Sequence, residues 1–346
     1  MARVSTPFSE KLGLRLPLIA APMAGGPTTP ELIAACSAAG AVGTFGFAYT
    51  QPDDMKKQVA LVRSKTDKPF SIDLRVSSPS VPIDPAAQRA ALDAVAKYYV
   101  ELGLPSPGPV STPYAPELDA QLAAVLEIRP RVFTTHLGAL PKDRVDALRS
   151  AGILVGGTAT CIAEAKRLES LGYDFVIAQG GEAGGHRGTY LRDAADSLTG
   201  TLALTRAIVR AAHLPVVAAG GIMDGAGIAA VLALGAQAAS LGTAFIPCPE
   251  SGAPKIHKDS LLAAQEDDTR ITEKFSGKPA RGLVNRFISE MGSAPQLAYP
   301  AQNKLTGPLR QASAKAGKAD FVAMWAGQGA AMSRSLPAAQ LIDALE

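Results

Sequence analysis

Between residues 178 and 188 the chain reads Ala-Gln-Gly-Gly-Glu-Ala-Gly-Gly-His-Arg-Gly. Five glycines and three polar side chains, Glu182, His186 and Arg187, fall within residues 180–188. The stretch follows an apolar run, Phe175-Val176-Ile177-Ala178, that reads as a buried strand. A packed core has no use for such a segment. A backbone bent closely around a ligand does, because glycine lets the main chain approach. An imidazole carried there can take a proton near neutral pH. His186 is the candidate general base.

Two glycine turns point to a second kind of chemistry. Ala219-Gly220-Gly221-Ile222 and Ser240-Leu241-Gly242-Thr243 each close an apolar run. Backbone N–H groups exposed at such turns, with a helix N-terminus behind them, suit a phosphate. Near the N-terminus, 17–26 ends a strand in Ala21-Pro22-Met23 and two glycines, Gly25 and Gly26, where backbone and Met23 could lie against a flat ring. An ordinary strand–loop with a core methionine reads equally well there. Of the four histidines, His213 and His257 sit in helix or loop contexts that suit structural or solvent-exposed roles. His136 ends a strand in Thr134-Thr135-His136-Leu137 and either lines the pocket or simply closes that strand. No metal spacing, no Ser/His/Asp pattern and no Gly-x-Gly-x-x-Gly of a dedicated nicotinamide domain is present.

The elements that must position these residues repeat. A helix, a small or apolar residue plus glycine, then a short apolar strand recurs at Ala39-Gly40, Ala151-Gly152, Leu171-Gly172 and Leu234-Gly235. Strands are expected at 16–22, 41–47, 69–76, 131–137, 153–158, 175–179, 215–219 and 238–245. Thr29 as N-cap and Pro30 in the first turn mark the first intervening helix. Eight such units predict an α/β fold, a (β/α)8 TIM barrel over 1–245, with the site at the strands' C-terminal ends; an open doubly wound sheet is the competing architecture. A Pro-rich βα excursion at 77–127, helical near 86–102, interrupts the barrel. Beyond it, 246–346 reads as a C-terminal helical subdomain without further strands.

Composition agrees with a globular protein: 47% of residues are hydrophobic, 19% are charged, and the net charge is +3 with no basic run. Nucleic acid is therefore not an expected partner. Three dispersed cysteines give neither a disulfide framework nor a zinc pattern. No apolar signal core opens the chain and no run reaches membrane-spanning length, so a cytoplasmic protein with no membrane partner is expected. Assembly into a homo-oligomer is left open.

With those residues in view, the sequence resembles the nitronate monooxygenase family, formerly the 2-nitropropane dioxygenases. The signature Gln-Gly-x-Glu-Ala-Gly-Gly-His-x-Gly is met without exception at 179–188. Ala21-Pro22-Met23, the 133–141 stretch, the two glycine turns, and the C-terminal 276–282, Tyr299-Pro300-x-Gln302-Asn303 and 325–329 runs are similar too. The resemblance implies an FMN-containing flavoprotein that oxidises alkyl nitronates with O2 to a carbonyl compound and nitrite, without NAD(P)H. It suggests detoxification of compounds such as propionate 3-nitronate. It implies cofactor contacts from Ala21, Met23, Asp73, Gln179, Gly184, Gly185, Gly220, Gly221, Ser240, Leu241, Gly242 and Thr243. It also implies substrate contacts from Tyr299 and Lys304, which would join His136 if that residue lines the pocket, and His186 as the base that deprotonates a neutral nitroalkane.

Two positions depart from the family. Asp73 stands where Asn is usual, and Ser240 where Gln is common. An ionised Asp73 would disfavour an anionic reduced flavin; protonation, or pairing with Arg75 or Arg187, would relieve that. Two other functions compete: an FMN barrel that uses NAD(P)H as a quinone or enoyl-thioester reductase, and a flavin-binding or phosphate-binding barrel whose catalysis has decayed. The reductases tend to carry Cys-Ala-Gly-His where this chain has Ala-Gly-Gly-His, and the retained His186 speaks against decay.

Overall fold

A computed structural model describes residues 5–76 and 82–345. Eight parallel strands close into a barrel: Leu18–Ala20, Val42–Gly46, Phe70–Arg75, Val132–His136, Leu154–Ala159, Phe175–Gln179, Val216–Ala219 and Ala238–Leu241. Closure is made by the first strand pairing with the eighth, Leu18 opposite Ala239 and Ala20 opposite Leu241. Each strand lies within its expected segment apart from a single-residue overrun at Ala159, and the open sheet is excluded. The four glycines of the repeating unit, at 40, 152, 172 and 235, all take positive φ just past a helix. Thr29 caps Pro30–Ala38, its Oγ1 accepting from Leu32 N–H at 3.1 Å.

The bottom of the barrel is shut. Helix Pro7–Leu12 inserts Phe8 and Leu12 against Ile19, Val42, Val132, Leu154, Phe175 and Val217. Phe8 meets Phe175 edge-on at 5.2 Å between ring centres. Phe175 fits because strand five offers glycine opposite it; a Cβ on Gly156 would lie 2.2 Å from that ring. Higher in the barrel the buried side chains turn polar: Thr44, Ser71, Asp73, Thr134, Thr158, Gln179 and Ser240. A wholly apolar core below and a polar layer above direct any ligand to the C-terminal mouth.

The two irregular regions fold together. The excursion supplies helix Pro85–Glu101, close to the expected helical piece, and a second helix, Leu118–Ile128, that returns to the barrel wall. Residues 77–81 of its Pro-rich start lie outside the described residues. Ala91, Val95, Tyr98 and Tyr99 of the first helix share a core with Phe275, Phe287, Met291, Leu305 and Phe321. The expectation of no strand beyond 245 is corrected, since Thr269–Thr272 and Ala280–Leu283 form an antiparallel pair extended by Gly185–His186. These strands have no apolar run: one is exposed in its middle and the other contains Arg281 and Gly282. Only the partner makes them strands. The chain ends on helix Ala338–Asp343, which buries Leu341 and Ile342 against Leu32 and Cys36. Among the described residues no helix is long and apolar enough to cross a membrane.

Candidate active site

The segment after strand six leaves the barrel wall and pairs with the C-terminal part, His186 opposite Ala280 and Gly185 opposite Arg281. Its backbone is held from below. The His186 carbonyl accepts from Gln179 Nε2 at 3.0 Å and faces His136 Nε2 at 3.2 Å, and Gly188 N–H donates to Gln179 Oε1 at 2.7 Å. The imidazole stands between Tyr299 and Trp325, at 5.4 and 5.6 Å between ring centres, with Nε2 at 2.8 Å from Ser276 Oγ. Part of the side chain keeps an open face, yet protein packs around it closely enough to push its pKa down to about 3. Burial is the first cause, followed by the charge of His136, Lys278, Arg310 and Arg75. His186 is a neutral imidazole in cationic surroundings.

Of the three residues expected around the substrate, only Tyr299 joins His186. Its hydroxyl shares a 3.0 Å hydrogen bond with Tyr49, and the Arg75 guanidinium lies over its ring at 5.2 Å. Burial raises its phenol pKa, so it stays protonated. His136 lies beneath the loop instead. A carbonyl can only accept, so Nε2 of His136 carries the proton toward the His186 carbonyl, while Nδ1 accepts from Thr158 Oγ1 at 3.2 Å. Burial pushes its pKa down to about 4. Lys304 is exposed, and its ammonium donates to the carbonyls of Ser111 at 2.7 Å and Pro113 at 3.3 Å, tying the excursion to the C-terminal segment.

Arg187 is the surprise of the loop. It is fully buried and aims away from the mouth, with Nη1 on Gly180 O at 2.6 Å and Nη2 on Gln179 O at 2.9 Å and Ser197 O at 2.7 Å. Glu182 turns to the next helix, Thr201–Ala211, accepting from Thr201 N–H at 2.8 Å and Thr201 Oγ1 at 2.8 Å, where the helix dipole favours a carboxylate. Neither charge faces a substrate.

At the tips of strands seven and eight the glycine turns expose main-chain N–H groups. Gly220 and Gly221 adopt φ of +125° and +70°, and a Cβ on Gly220 would lie 2.7 Å from Thr201 Oγ1. Among the described residues, the N–H groups of Gly221, Ile222, Thr243 and Ala244 have no acceptor within the chain. Unanswered N–H groups at one end of the barrel make an anion nest. Ser240 pairs with Ile19 and Ala219, Ala21 N–H donates to Leu241 O at 2.8 Å, and Thr243 Oγ1 accepts from Gly327 N–H at 2.9 Å. Strands one, seven and eight and the 325–329 run therefore meet at this corner. Met23 opens the turn beside it, over Gly46, whose Cβ would lie 2.9 Å from Met23 N.

Asp73 is paired with neither arginine. Its Oδ2 accepts from Thr134 Oγ1 at 2.6 Å, and burial raises its pKa to about 7, with the Thr134 bond opposing. Near neutral pH it is therefore about half protonated, part-way to the neutral amide it replaces. Since its folded pKa lies above the unfolded value, the folded state loses stability as pH rises from about 4 to about 7. We expect Asp73→Asn to raise stability at pH 8 by a few kcal/mol, on the order of the burial penalty, with no gain at pH 4. Thermal melts of the two proteins across that pH range check this; parallel curves would contradict it.

Sequence reasoning missed Tyr49 and Arg310 and did not give Arg75 this place. Arg75 was the findable one, because Asp73 and Arg75 are two apart on one strand and so share its inward face. Tyr49 and Arg310 carry no local signal.

A closed (β/α)8 barrel with an anion nest at strands seven and eight and a neutral imidazole over its mouth defines a cofactor-dependent barrel enzyme. The chain belongs to the nitronate monooxygenase family, whose family model matches residues 6–346. It is 42% identical to a nitronate monooxygenase of Pseudomonas aeruginosa, covering 98% of this chain and 97% of that one. A nitronate monooxygenase of Paraburkholderia phytofirmans is also 42% identical, with 97% and 92% covered. Among solved structures, the nitroalkane oxidase of Streptomyces ansochromogenes superposes with a TM-score of 0.92 at 40% identity, over 98% of this chain and 96% of that one. FabK from Thermotoga maritima reaches 0.77 at 28% identity, over 99% and 95%.

Proposed function

We propose that this protein oxidises alkyl nitronates with O2 to a carbonyl compound and nitrite, using FMN and no NAD(P)H. It also accepts neutral nitroalkanes, by way of His186. The observation that carries this reading is the imidazole itself: neutral, held between Tyr299 and Trp325, and within the field of Lys278, Arg310 and Arg75. A nitroalkane gives its α-proton to that ring, and the C–H electron pair moves onto the nitro group as a nitronate. The cations around His186 stabilise the charge that develops, and the same cations bind a nitronate that arrives already ionised.

The residues present fit a flavin mononucleotide. The unanswered N–H groups of Gly221, Ile222, Thr243 and Ala244 would hold its phosphate. Ala21, Met23, Asp73, Gln179, Gly184, Gly185, Gly220, Ser240, Leu241 and Gly242 would line its nucleotide and ring. When bound, flavin supplies electron acceptance and the reaction with O2; the protein supplies binding, orientation and electrostatics. His136 and Gln179 hold the base's backbone, and Tyr299 with Trp325 fixes the plane of its ring.

Oxygen uptake and nitrite release by the flavin-loaded protein given propionate 3-nitronate, with NAD(P)H absent, tests this. Rapid uptake is expected. No uptake, with NAD(P)H oxidised in the presence of a quinone or an enoyl thioester, would replace the reading by the reductase function.

A further inference from the structure

We propose that Ser276 is a positioning residue that fixes the tautomer of His186, so that Nδ1 is the atom that takes the substrate proton. Ser276 lies in the turn between strands Thr269–Thr272 and Ala280–Leu283 and is fully buried. A hydroxyl has one proton to give and two lone pairs. Ser276 Oγ lies 3.0 Å from the Lys278 carbonyl, which can only accept, so the hydroxyl proton goes there. Its lone pairs remain for His186 Nε2 at 2.8 Å and, at longer range, Lys278 N–H at 3.4 Å. With that proton on the carbonyl, Nε2 carries the imidazole hydrogen; the opposite tautomer would turn the Ser276 proton to Nε2 and leave the Lys278 carbonyl without it.

A neutral imidazole has only one N–H, so the lone pair is on Nδ1. Among the described residues Nδ1 makes no hydrogen bond. The inference rests on His186 acting as the base; given that, it names the atom. The proton leaves the carbon α to the nitro group for Nδ1, and its electron pair stays with the nitronate. The imidazolium then keeps its Nε2–H on Ser276, whose own proton stays on the Lys278 carbonyl. This relay ends in a carbonyl and not a carboxylate, so it orients the ring without adding a full negative charge behind it. Backbone placement does not need Ser276, because Gln179, His136 and the Ala280 pairing already hold His186.

Ring-nitrogen NMR of the flavin-loaded protein labelled with ¹⁵N-histidine reads the tautomer directly, with His186 assigned by comparison with His186→Asn. His186 protonated on Nε2 is the expected result; a proton on Nδ1 would overturn the proposal whether or not nitroalkanes are turned over. Ser276→Ala should give mixed tautomers and lower kcat/KM for nitroethane by roughly tenfold or more, the factor of one lost hydrogen bond to a charged group. Activity on the preformed nitronate should fall far less, and Ser276→Thr, which keeps the hydroxyl, should restore the Nε2–H form. An unchanged tautomer and nitroethane rate in Ser276→Ala would equally refute it.

Discussion

His186→Asn should leave the protein folded and flavin-loaded while lowering kcat/KM for neutral nitroethane by roughly 10²- to 10⁴-fold, the range of a positioned general base. The loss on ethyl nitronate should be far smaller, since that substrate arrives without the proton. The substitution spares the contacts that place the loop, because Gln179 and His136 hold the backbone carbonyl and not the ring. Steady-state oxygen consumption on the two substrates, with flavin content measured by absorbance, decides the matter. Equal losses on both would remove the base from the mechanism.

The pH profile carries a second expectation for the same group. Burial and neighbouring cations hold His186 down to about 3, so the free enzyme keeps a neutral base well below the usual histidine range. kcat/KM for nitroethane should therefore not fall on acidification through pH 6.5. A bound anion partly cancels those cations, so the profile of kcat should break at higher pH than that of kcat/KM.

The largest effect on stability is expected at Arg187. Arg187→Met should destabilise the fold by about 3–5 kcal/mol, lower Tm by on the order of 5–10 °C and release flavin. Its guanidinium is fully buried and donates to three main-chain carbonyls: two on the strand-six exit and one at Ser197, the end of the short 3-10 turn Ala194–Ser197 before helix Thr201–Ala211. Burial and the nearby Arg281 lower its pKa to about 10, which leaves it charged at neutral pH. Removing it takes the donor from the buried Gln179 and Ser197 carbonyls, leaves Gly180 O with Ala183 N–H alone, and frees the segment that carries both Gln179 and His186. Arg187→Lys should rescue little, because a single ammonium cannot reproduce a planar fork spread over three carbonyls. Calorimetry with flavin absorbance would show this. A melt within a degree of the parent would mean that water replaces the guanidinium.

The motif at 179–188 contained residues with two different tasks, and local sequence could not separate them. His186 stood out by its imidazole, but Arg187 and Glu182 read only as further polar groups on the same glycine loop. In the fold His186 faces the mouth, Arg187 turns inward to carbonyls, and Glu182 caps the next helix. The same holds for His136 and Lys304, both read as substrate contacts. His136 supports the loop from below, and Lys304 ties down the Ser111–Pro113 backbone. Residue type says what a group can do. Direction says what it does, and a loop has no periodicity from which direction can be read.

By itself the sequence determined the barrel and the end of it that bears the chemistry. Parallel strands buried on both faces read as short apolar runs, and positive-φ glycines after helices mark each return, so local pattern is enough. It also singled out the candidate base and the two glycine turns, which lie within a few residues of their own strands. The tertiary structure decided what surrounds them. Ser276, Tyr299 and Trp325 reach His186 because Ala280–Leu283 pairs with a two-residue strand almost a hundred residues earlier, and the excursion helix folds onto the same C-terminal core. Pairing over that distance depends on barrel closure and chain return, whereas short-range patterning records only whether a side chain is buried.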